Sequence, residues 1–289
     1  MIDEEVQVET AGDDDDVPAM KEKAKSKSGE IYELGNSLLM CGDSTDMEAV
    51  RRLMGAEKID CVFTSPPYNG NTGLGDFHSE KYKNLHTALY KNNEMDNKTT
   101  EQYMDFLFSV LGNISNVVKD GSPIFWNVSY NAKSRDTYGK IVFNDKNPFK
   151  VFETINWYKC GCGAFGKNKG ILYRRSELVF LMAKSKPTYY FTGFESNYWD
   201  ISPAGSQGGS HYACFPVALP EKGILNWTKE GDIILDPFGG SGSTLIAAEK
   251  NNRRARLIEL DPHYCDVIRR RWTKWAKENG REVGSGGLE

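Results

Sequence analysis

Two clusters of residues in this chain of 289 residues have the types and spacing for chemistry. The first is Thr64-Ser65-Pro66-Pro67-Tyr68, at the end of the apolar run Asp60–Thr64. Two successive prolines fix the backbone and remove two N–H donors, so the neighbouring carbonyls face a ligand with little competition. Ser65 adds a hydroxyl and Tyr68 a flat ring. Together they suit an amino group held by hydrogen bonds on a base that stacks against the tyrosine. A rigid turn after a strand is the plainer reading of the same five residues.

The second cluster is Asp236-Pro237-Phe238-Gly239-Gly240-Ser241-Gly242-Ser243-Thr244. It follows a strand pattern at Asp232–Leu235 and opens a helical one at Ser243–Lys250. In an open α/β sheet such a turn lies where ligands bind. Glycines let the backbone approach a ligand closely, and free N–H groups at a helix start attract an anionic group. No Lys precedes Ser or Thr here, as a phosphate-cradling P-loop requires, and Leu245 stands where the dinucleotide fingerprint needs Gly or Ala. Glu259 ends the next strand, seventeen residues past Gly242, where a carboxylate can accept both hydroxyls of a ribose. Loop and acid together predict a nucleoside ligand without a pyrophosphate; the loop alone is also compatible with a plain tight turn.

The elements that position these clusters read as alternating strands and helices. Strands are expected at Ser37–Cys41, Asp60–Thr64, Ser122–Val128, Phe152–Lys159, Glu177–Ala183, Asp232–Leu235 and Arg256–Leu260. Helices are expected at Asp46–Met54, Thr100–Val118 with Thr100 as N-cap, Ser243–Lys250 and the basic Pro262–Lys277. The polar, Gly/Asn-rich stretch 69–99 is longer than most loops, which points to a functional segment. Such alternation argues for a mostly parallel sheet covered on both faces.

Composition sets further bounds. The formal charge is −4, but residues 1–30 hold ten acids and four bases, while the other 259 residues hold 32 bases and 30 acids. Residues 131–190 hold twelve Lys or Arg against four Asp or Glu, a local positive field suited to a phosphate backbone. Residues 1–29 and 284–289 read as a disordered acidic tail and a flexible tail. The apolar stretches are too short to span a bilayer, and the acidic N-terminus shows no secretory signal, so a soluble cytoplasmic protein is expected. Six scattered cysteines, with Cys160-x-Cys162 the one close pair, lack zinc spacing, and no metal is expected.

Three blocks resemble one enzyme family. Ser65-Pro66-Pro67-Tyr68 is similar to the catalytic motif of the S-adenosylmethionine-dependent DNA amino-methyltransferases acting on adenine N6 or cytosine N4. Asp236–Thr244 resembles that family's cofactor motif, and His211-x-Ala213-x-Phe215-Pro216 with Leu219-Pro220-Glu221 its third block. Catalytic motif first and cofactor motif last is the order of the beta class. The resemblance covers roughly residues 31–277. It implies an α/β fold: a seven-stranded, mainly parallel, Rossmann-like sheet with one antiparallel strand, circularly permuted, with a small recognition insertion. The methyltransferase domain would span 30–283, with DNA recognition within 131–212.

By that resemblance, Asp236, Pro237, Phe238, Gly239, Gly240, Ser241, Gly242, Ser243 and Thr244 shape the cofactor pocket. Phe215 and Pro216 meet the methionine end, Glu259 the ribose and Asp43 the adenine. Ser65 and the Pro66 carbonyl would accept hydrogen bonds from the target amine, within the motif that Pro67 and Tyr68 complete, and Tyr68 would stack on a flipped base. Ser at the first motif position favours cytosine N4 over adenine N6. Lys167, Lys169, Arg174 and Arg175 are the expected DNA contacts, interleaved with Tyr189, Tyr190, Tyr198 and Trp199; the basic helix, with Arg269, Arg270, Arg271, Lys274 and Lys277, is the second candidate face. The expected partner is DNA, and the short recognition region leaves room for a homodimer. The alternatives are methylation of RNA or of a protein amide, and a catalytically silent cofactor-binding module. No nuclease motif is evident alongside the restriction–modification-type blocks.

Overall fold

The run Cys61–Thr64 has no outward polar face: all four side chains are buried, as a strand covered on both sides requires. This strand, β3, is the middle of one sheet. The computed structural model describes residues 13–67, 69, 98–129, 135–159, 175–192, 194–203 and 215–289. The other strands among them are β1 (Ile31–Leu34), β2 (Ser37–Cys41), β4 (Ile124–Val128), β5 (Lys150–Tyr158), β6 (Ser176–Ala183), β7 (Tyr198–Asp200), β8 (Ile233–Asp236) and β9 (Arg254–Glu259). The helices are α1 (Met47–Met54), α2 (Thr100–Val117), α3 (Arg135–Val142), α4 (Ala218–Trp227), α5 (Ser243–Lys250) and α6 (Pro262–Glu278).

The strand order is β1-β2-β9-β8-β3-β4-β6-β5-β7. The seven strands from β2 to β5 form the expected mainly parallel sheet. Within it only β6 runs against its neighbours, antiparallel to both β4 and β5. The sheet exceeds the expected seven strands at its edges, where β1 adds antiparallel to β2 and the short β7 adds parallel to β5. Strand side chains alternate between two cores. Cys61, Phe63 and Phe125 join Ile224, Leu245, Ile268 and Trp272 of α4–α6. Val62, Ile124 and Trp126 join Val50, Leu107, Ile114 and Ile141 of α1–α3 on the other face.

Strand β8 returns through α5 to β9 on one side, and β3 returns through α2 to β4 on the other. The sheet therefore reverses its winding between β8 and β3, which are paired in parallel. Ligands in open α/β sheets lie at such a point, beyond the carboxyl ends of the strands. The Ser65 turn leaves β3 there, and the glycine loop leaves β8 beside it.

Several boundaries differ from expectation. Helix α2 is capped by Thr99, not Thr100: Thr99 Oγ1 accepts from Gln102 N, and Gln102 Oε1 accepts from Thr99 N, a capping box. Residues 13–29, expected as a disordered tail, lie against the body. Lys25 N and Ser26 N donate to the Asp266 carboxylate, and Arg270 donates to Ala19 O. Residues 284–289 are held likewise, with Gly286 N on Glu33 O and Leu288 N on Thr273 Oγ1. Both segments are polar taken alone; the donors and acceptors that hold them lie on α6 and β1, far away in sequence.

Helix α4 crosses the sheet closely at Gly223. A Cβ there would meet Phe63 Cδ2 at 3.1 Å and Phe125 Cδ2 at 3.3 Å, beneath the turn that carries Ser65. The Gly223→Val variant is expected to lower unfolding stability by about 1–3 kcal/mol through overpacking, read by urea denaturation; an unchanged midpoint would place α4 farther from β3.

Candidate functional site

The site is organised by a buried acid. Asp236, the last residue of β8, is fully buried. Its Oδ1 accepts from Thr64 Oγ1 at 2.7 Å and Phe238 N at 3.1 Å, and its Oδ2 accepts from Thr244 Oγ1 at 2.7 Å. One carboxylate thus joins the end of β3, the glycine loop and the start of α5. Burial raises its pKa to about 6, against the pull of the Thr244, Thr64 and Phe238 donors. A raised carboxylate pKa means that its contribution to stability is full below pH about 4 and is lost as pH rises through about 6.

The loop after Asp236 is a tight turn. Gly242 N donates to Gly239 O, and Gly239 N to Ile258 O, both at 2.8 Å. Gly240 and Gly242 have φ of 52° and 87°, the left-handed region that glycine enters without strain. At Gly242 a Cβ would also press on Ile268 of α6 at 3.2 Å. At Gly240 it would meet only Phe238 O at 3.7 Å, so the backbone there is open to an approaching group. Pro237 is buried, and Phe238 packs against Phe106 and Trp126, at 5.8 and 6.4 Å between centroids. Ser241 and Ser243 are buried behind the turn.

Glu259 lies across from Gly240 at the end of β9. Its Oε2 accepts from Gly240 N at 2.8 Å and its Oε1 from Asp261 N at 2.9 Å. Each oxygen keeps a lone pair for a further donor. Burial of the carboxylate, with the Asp261 and Asp236 charges nearby, raises its pKa to about 7 despite the two N–H donors. Cys41 of β2 is the register partner of Glu259, so Asp43, two residues on, sits at the same end of the sheet. Asp43 is exposed, and its Oδ1 accepts from Thr45 N. Phe215 lies edge-on to Phe63 at 5.7 Å, and its carbonyl accepts from Ser243 Oγ at 2.9 Å. Pro216 is buried beside it, with its carbonyl accepting from Leu219 N.

On the β3 side, Ser65 Oγ donates to Asn127 Oδ1 at 3.1 Å. Asn127 is fully buried on β4, and its amide nitrogen donates to Leu178 O at 3.3 Å, which fixes the oxygen towards Ser65. The Pro67 carbonyl accepts from Tyr103 Oη at 2.6 Å, so of the two proline carbonyls it is the Pro66 carbonyl that the amine-binding expectation names. Asn69 is buried with φ of 46°, and its side chain bonds both Lys98 N and Lys98 O, tying together the two ends of the long polar stretch. Asn127, Tyr103 and Asn69 had no signal in the sequence, because their partners lie 62, 36 and 29 residues away.

Tyr68, Lys167, Lys169, Arg174 and the His211–Ala213 part of the third block lie outside the described residues, as do Cys160 and Cys162. Arg175 is exposed at the start of β6 and donates to Tyr158 Oη at 3.4 Å. Tyr158 stacks on Tyr198 at 5.6 Å, while Trp199 is buried in the core. Because β6 runs against β5, Arg175 and Tyr158 stand at the same end of the sheet as Ser65. The second candidate DNA face is occupied by the fold itself: Arg269 pairs with Asp266, Arg271 with Asp15, Lys274 with Asp16 and Lys277 with Glu289. Among the described residues no group of three or more His, Cys, Asp or Glu could hold a metal ion. None of the described helices is long and apolar enough to cross a membrane.

The chain is similar to several known proteins. Type II methyltransferase M.Cfr9I of Citrobacter freundii is 25% identical over 294 residues, covering 84% of this chain and 90% of that protein. The orphan methyltransferase M.BamHII of Bacillus amyloliquefaciens is 39% identical over 101 residues, covering 32% of this chain and 38% of its own. Among solved structures, the PvuII DNA methyltransferase (cytosine-N4-specific) superposes with a TM-score of 0.64 at 22% identity, covering 85% of this chain and 89% of that one. The M1.HpyAVI–SAM complex does so with a TM-score of 0.54 at 21% identity, covering 80% and 96%. Both superpositions bear on the fold. The family model described as DNA methylase, N6_N4_Mtase, matches residues 59–270, a span that holds β3 with Ser65 and β8 with the glycine loop, and the chain belongs to that family.

Proposed function

We propose that this protein transfers a methyl group from S-adenosylmethionine to the exocyclic amino group of a flipped DNA base, with cytosine N4 favoured over adenine N6. The observation that carries the reading is that the Ser65 turn and the glycine loop leave adjacent strands at the reversal of the sheet and are tied through Thr64 and Asp236.

The residues present fit the cofactor. Open backbone at Gly240 and the two oxygens of Glu259 suit a nucleoside ribose, with Asp43 towards its base and Phe215–Pro216 towards its methionine end. The bound cofactor supplies an electrophilic methyl on a sulfonium sulfur. The chain's own residues act on the amine, whose lone pair is delocalised into the ring and is therefore weakly nucleophilic. Asn127 takes the Ser65 hydroxyl proton as a hydrogen bond, which turns the Ser65 oxygen towards the base as an acceptor. The amino hydrogens donate to Ser65 Oγ and to the Pro66 carbonyl, which favours a tetrahedral nitrogen with a localised lone pair. Positioning and electrostatics lower the barrier. Tyr68 stacks on the base once it has left the duplex, a step that costs a few kcal/mol in general. Ser65, like the serine of the cytosine resemblance, presents a neutral acceptor.

The basic segment suits the DNA backbone. Lys159 N donates to Arg175 O at 2.8 Å, so the two described residues that flank this segment in sequence meet at the end of the sheet that carries Ser65. Tyr158 and Tyr198 offer ring faces there.

Mapping the modified base after incubation with unmethylated DNA tests the function: N4-methylcytosine is expected, N6-methyladenine would correct the base, and no DNA product would sink the reading. Ser65→Ala and Tyr68→Ala are expected to slow single-turnover transfer by about a hundredfold or more while leaving cofactor affinity nearly intact; Asn127→Leu should cost about tenfold, with Asn127→Asp less impaired. Near-normal rates in the Ser65 and Tyr68 variants would contradict the mechanism.

Glu259 gives a pH test. With burial raising its pKa to about 7, Glu259 holds a proton in the free protein below about that pH. Ribose hydroxyls donate to the ionised form, so binding releases that proton. Affinity for S-adenosylmethionine should fall by up to about tenfold per pH unit below 7, and Glu259→Gln should bind weakly with no such dependence; parallel pH profiles in calorimetry would remove Glu259 from the ribose. Replacing Lys167, Lys169, Arg174 and Arg175 by neutral residues should reduce the slope of log DNA affinity against log salt by roughly one unit per lost phosphate contact. An unchanged slope would move the DNA face elsewhere.

A further inference from the structure

The acidic residues 14–16 are docked on the back of the glycine loop. Asp14 binds Lys250, the last residue of α5, at 3.2 Å and accepts from Trp275 Nε1 at 2.8 Å. Asp15 is nearly buried, and its carboxylate accepts from Val217 N at 2.8 Å, at the start of α4. That helix has no side-chain cap of its own. Asp15 also pairs with Arg271 of α6 at 3.7 Å, and Arg271 donates to Asp14 O at 2.7 Å. From there Arg271 reaches the loop, donating to Ser241 O at 3.1 Å and to Ser241 Oγ and Ser243 Oγ at 3.2 Å. Ser243 Oγ in turn donates to Phe215 O.

These contacts form a closed ring. It runs from Asp15 to Arg271, through Ser241 and Ser243 to Phe215, and along the chain to Val217 and back to Asp15. The ring holds together the two segments, 236–244 and 215–217, that line the proposed cofactor site from different parts of the chain. Its middle is buried: Arg271 is 3% exposed and Ser241 and Ser243 are each 4% exposed. Removing one partner of a buried charged hydrogen bond leaves the other uncompensated, so the ring loosens as a unit.

We propose that Asp15 and Arg271 are positioning residues for the cofactor site: the acidic N-terminal segment acts as an intramolecular clamp that sets the spacing of the glycine loop and the Phe215–Pro216 block, and hence cofactor affinity. The proposal rests on the cofactor reading above. Neighbouring Asp16, by contrast, is exposed and pairs with Lys274 outside the ring.

The test compares full-length wild type with Asp15→Ala, Asp15→Asn and Asp16→Asn. KM for S-adenosylmethionine should rise by about tenfold in Asp15→Ala, with kcat and KM for DNA within about twofold. Asp15→Asn keeps an acceptor for Val217 N and should recover part of the loss; Asp16→Asn should match wild type. In the ligand-free proteins, amide hydrogen exchange at 215–217 and 239–244 should quicken in Asp15→Ala alone. Wild-type KM and exchange in Asp15→Ala would overturn the clamp, as would an equal shift in Asp16→Asn. If wild type binds no S-adenosylmethionine, the cofactor reading fails, and the clamp is decided by the exchange rates: quickened exchange supports it and unchanged exchange refutes it.

Discussion

The structure turns on one buried carboxylate. Asp236 brings a charge-capable group into a fully enclosed position, and such a group is tolerated only when donors surround it. Those donors are Thr64, Thr244 and the Phe238 amide. Meeting this requirement fixes three things: the end of β3 lies against the end of β8, the glycine loop folds back over its strand, and α5 starts where Thr244 can reach inwards. Polar groups with no alternative partner define geometry more sharply than apolar contacts do. The Ser65 turn and the glycine loop keep their separation for that reason, although Thr64 and Asp236 are 172 positions apart in the chain.

Charge placement separates the molecule's two basic regions. Helix α6 carries Arg269, Arg270, Arg271, Lys274 and Lys277, and acids or carbonyls of residues 14–19, 266 and 286–289 answer them. The acidic segment therefore does structural work on the side of the sheet that holds α4–α6. Of the bases in residues 131–190, Lys159 and Arg175 stand at the end of the sheet that carries Ser65, whereas Lys150 and Lys184 stand at the opposite end. The overall charge of −4 conceals this division, since a local field governs attraction of a polyanion.

How much could be read from the sequence follows the range of the interactions. The strand–loop–helix around Asp236, with Glu259 at the next strand end, is encoded within the 27 residues 233–259 by glycines and apolar runs, and it stands where expected. Helix α2 was visible from its 3.6-residue spacing, with its cap shifted by one residue because Thr99 and Thr100 are equally good capping types. Helix α4 was missed because Pro220 and Gly223 break its pattern; Gly223 is there for contact with Phe63, not for the helix. The edge strands β1 and β7 are too short to show a period. Asn127 behind Ser65, and Arg271 between Asp15 and the glycine loop, depend on partners far along the chain, which no local pattern announces. The order in residues 13–29 was hidden for the same reason.

The junction between the two motifs is tested most directly by Thr64→Val. Valine keeps the shape of threonine and removes the one hydroxyl that connects β3 to Asp236. The measurement is the single-turnover rate of methyl transfer to DNA at saturating S-adenosylmethionine, in a variant shown to be folded by its unfolding midpoint. The account predicts a rate about tenfold below wild type, because the Ser65 turn loses its registration to the glycine loop even with cofactor bound. A rate within twofold of wild type would show that the Ser65 turn and the glycine loop are positioned independently, and would contradict the central place given to Asp236.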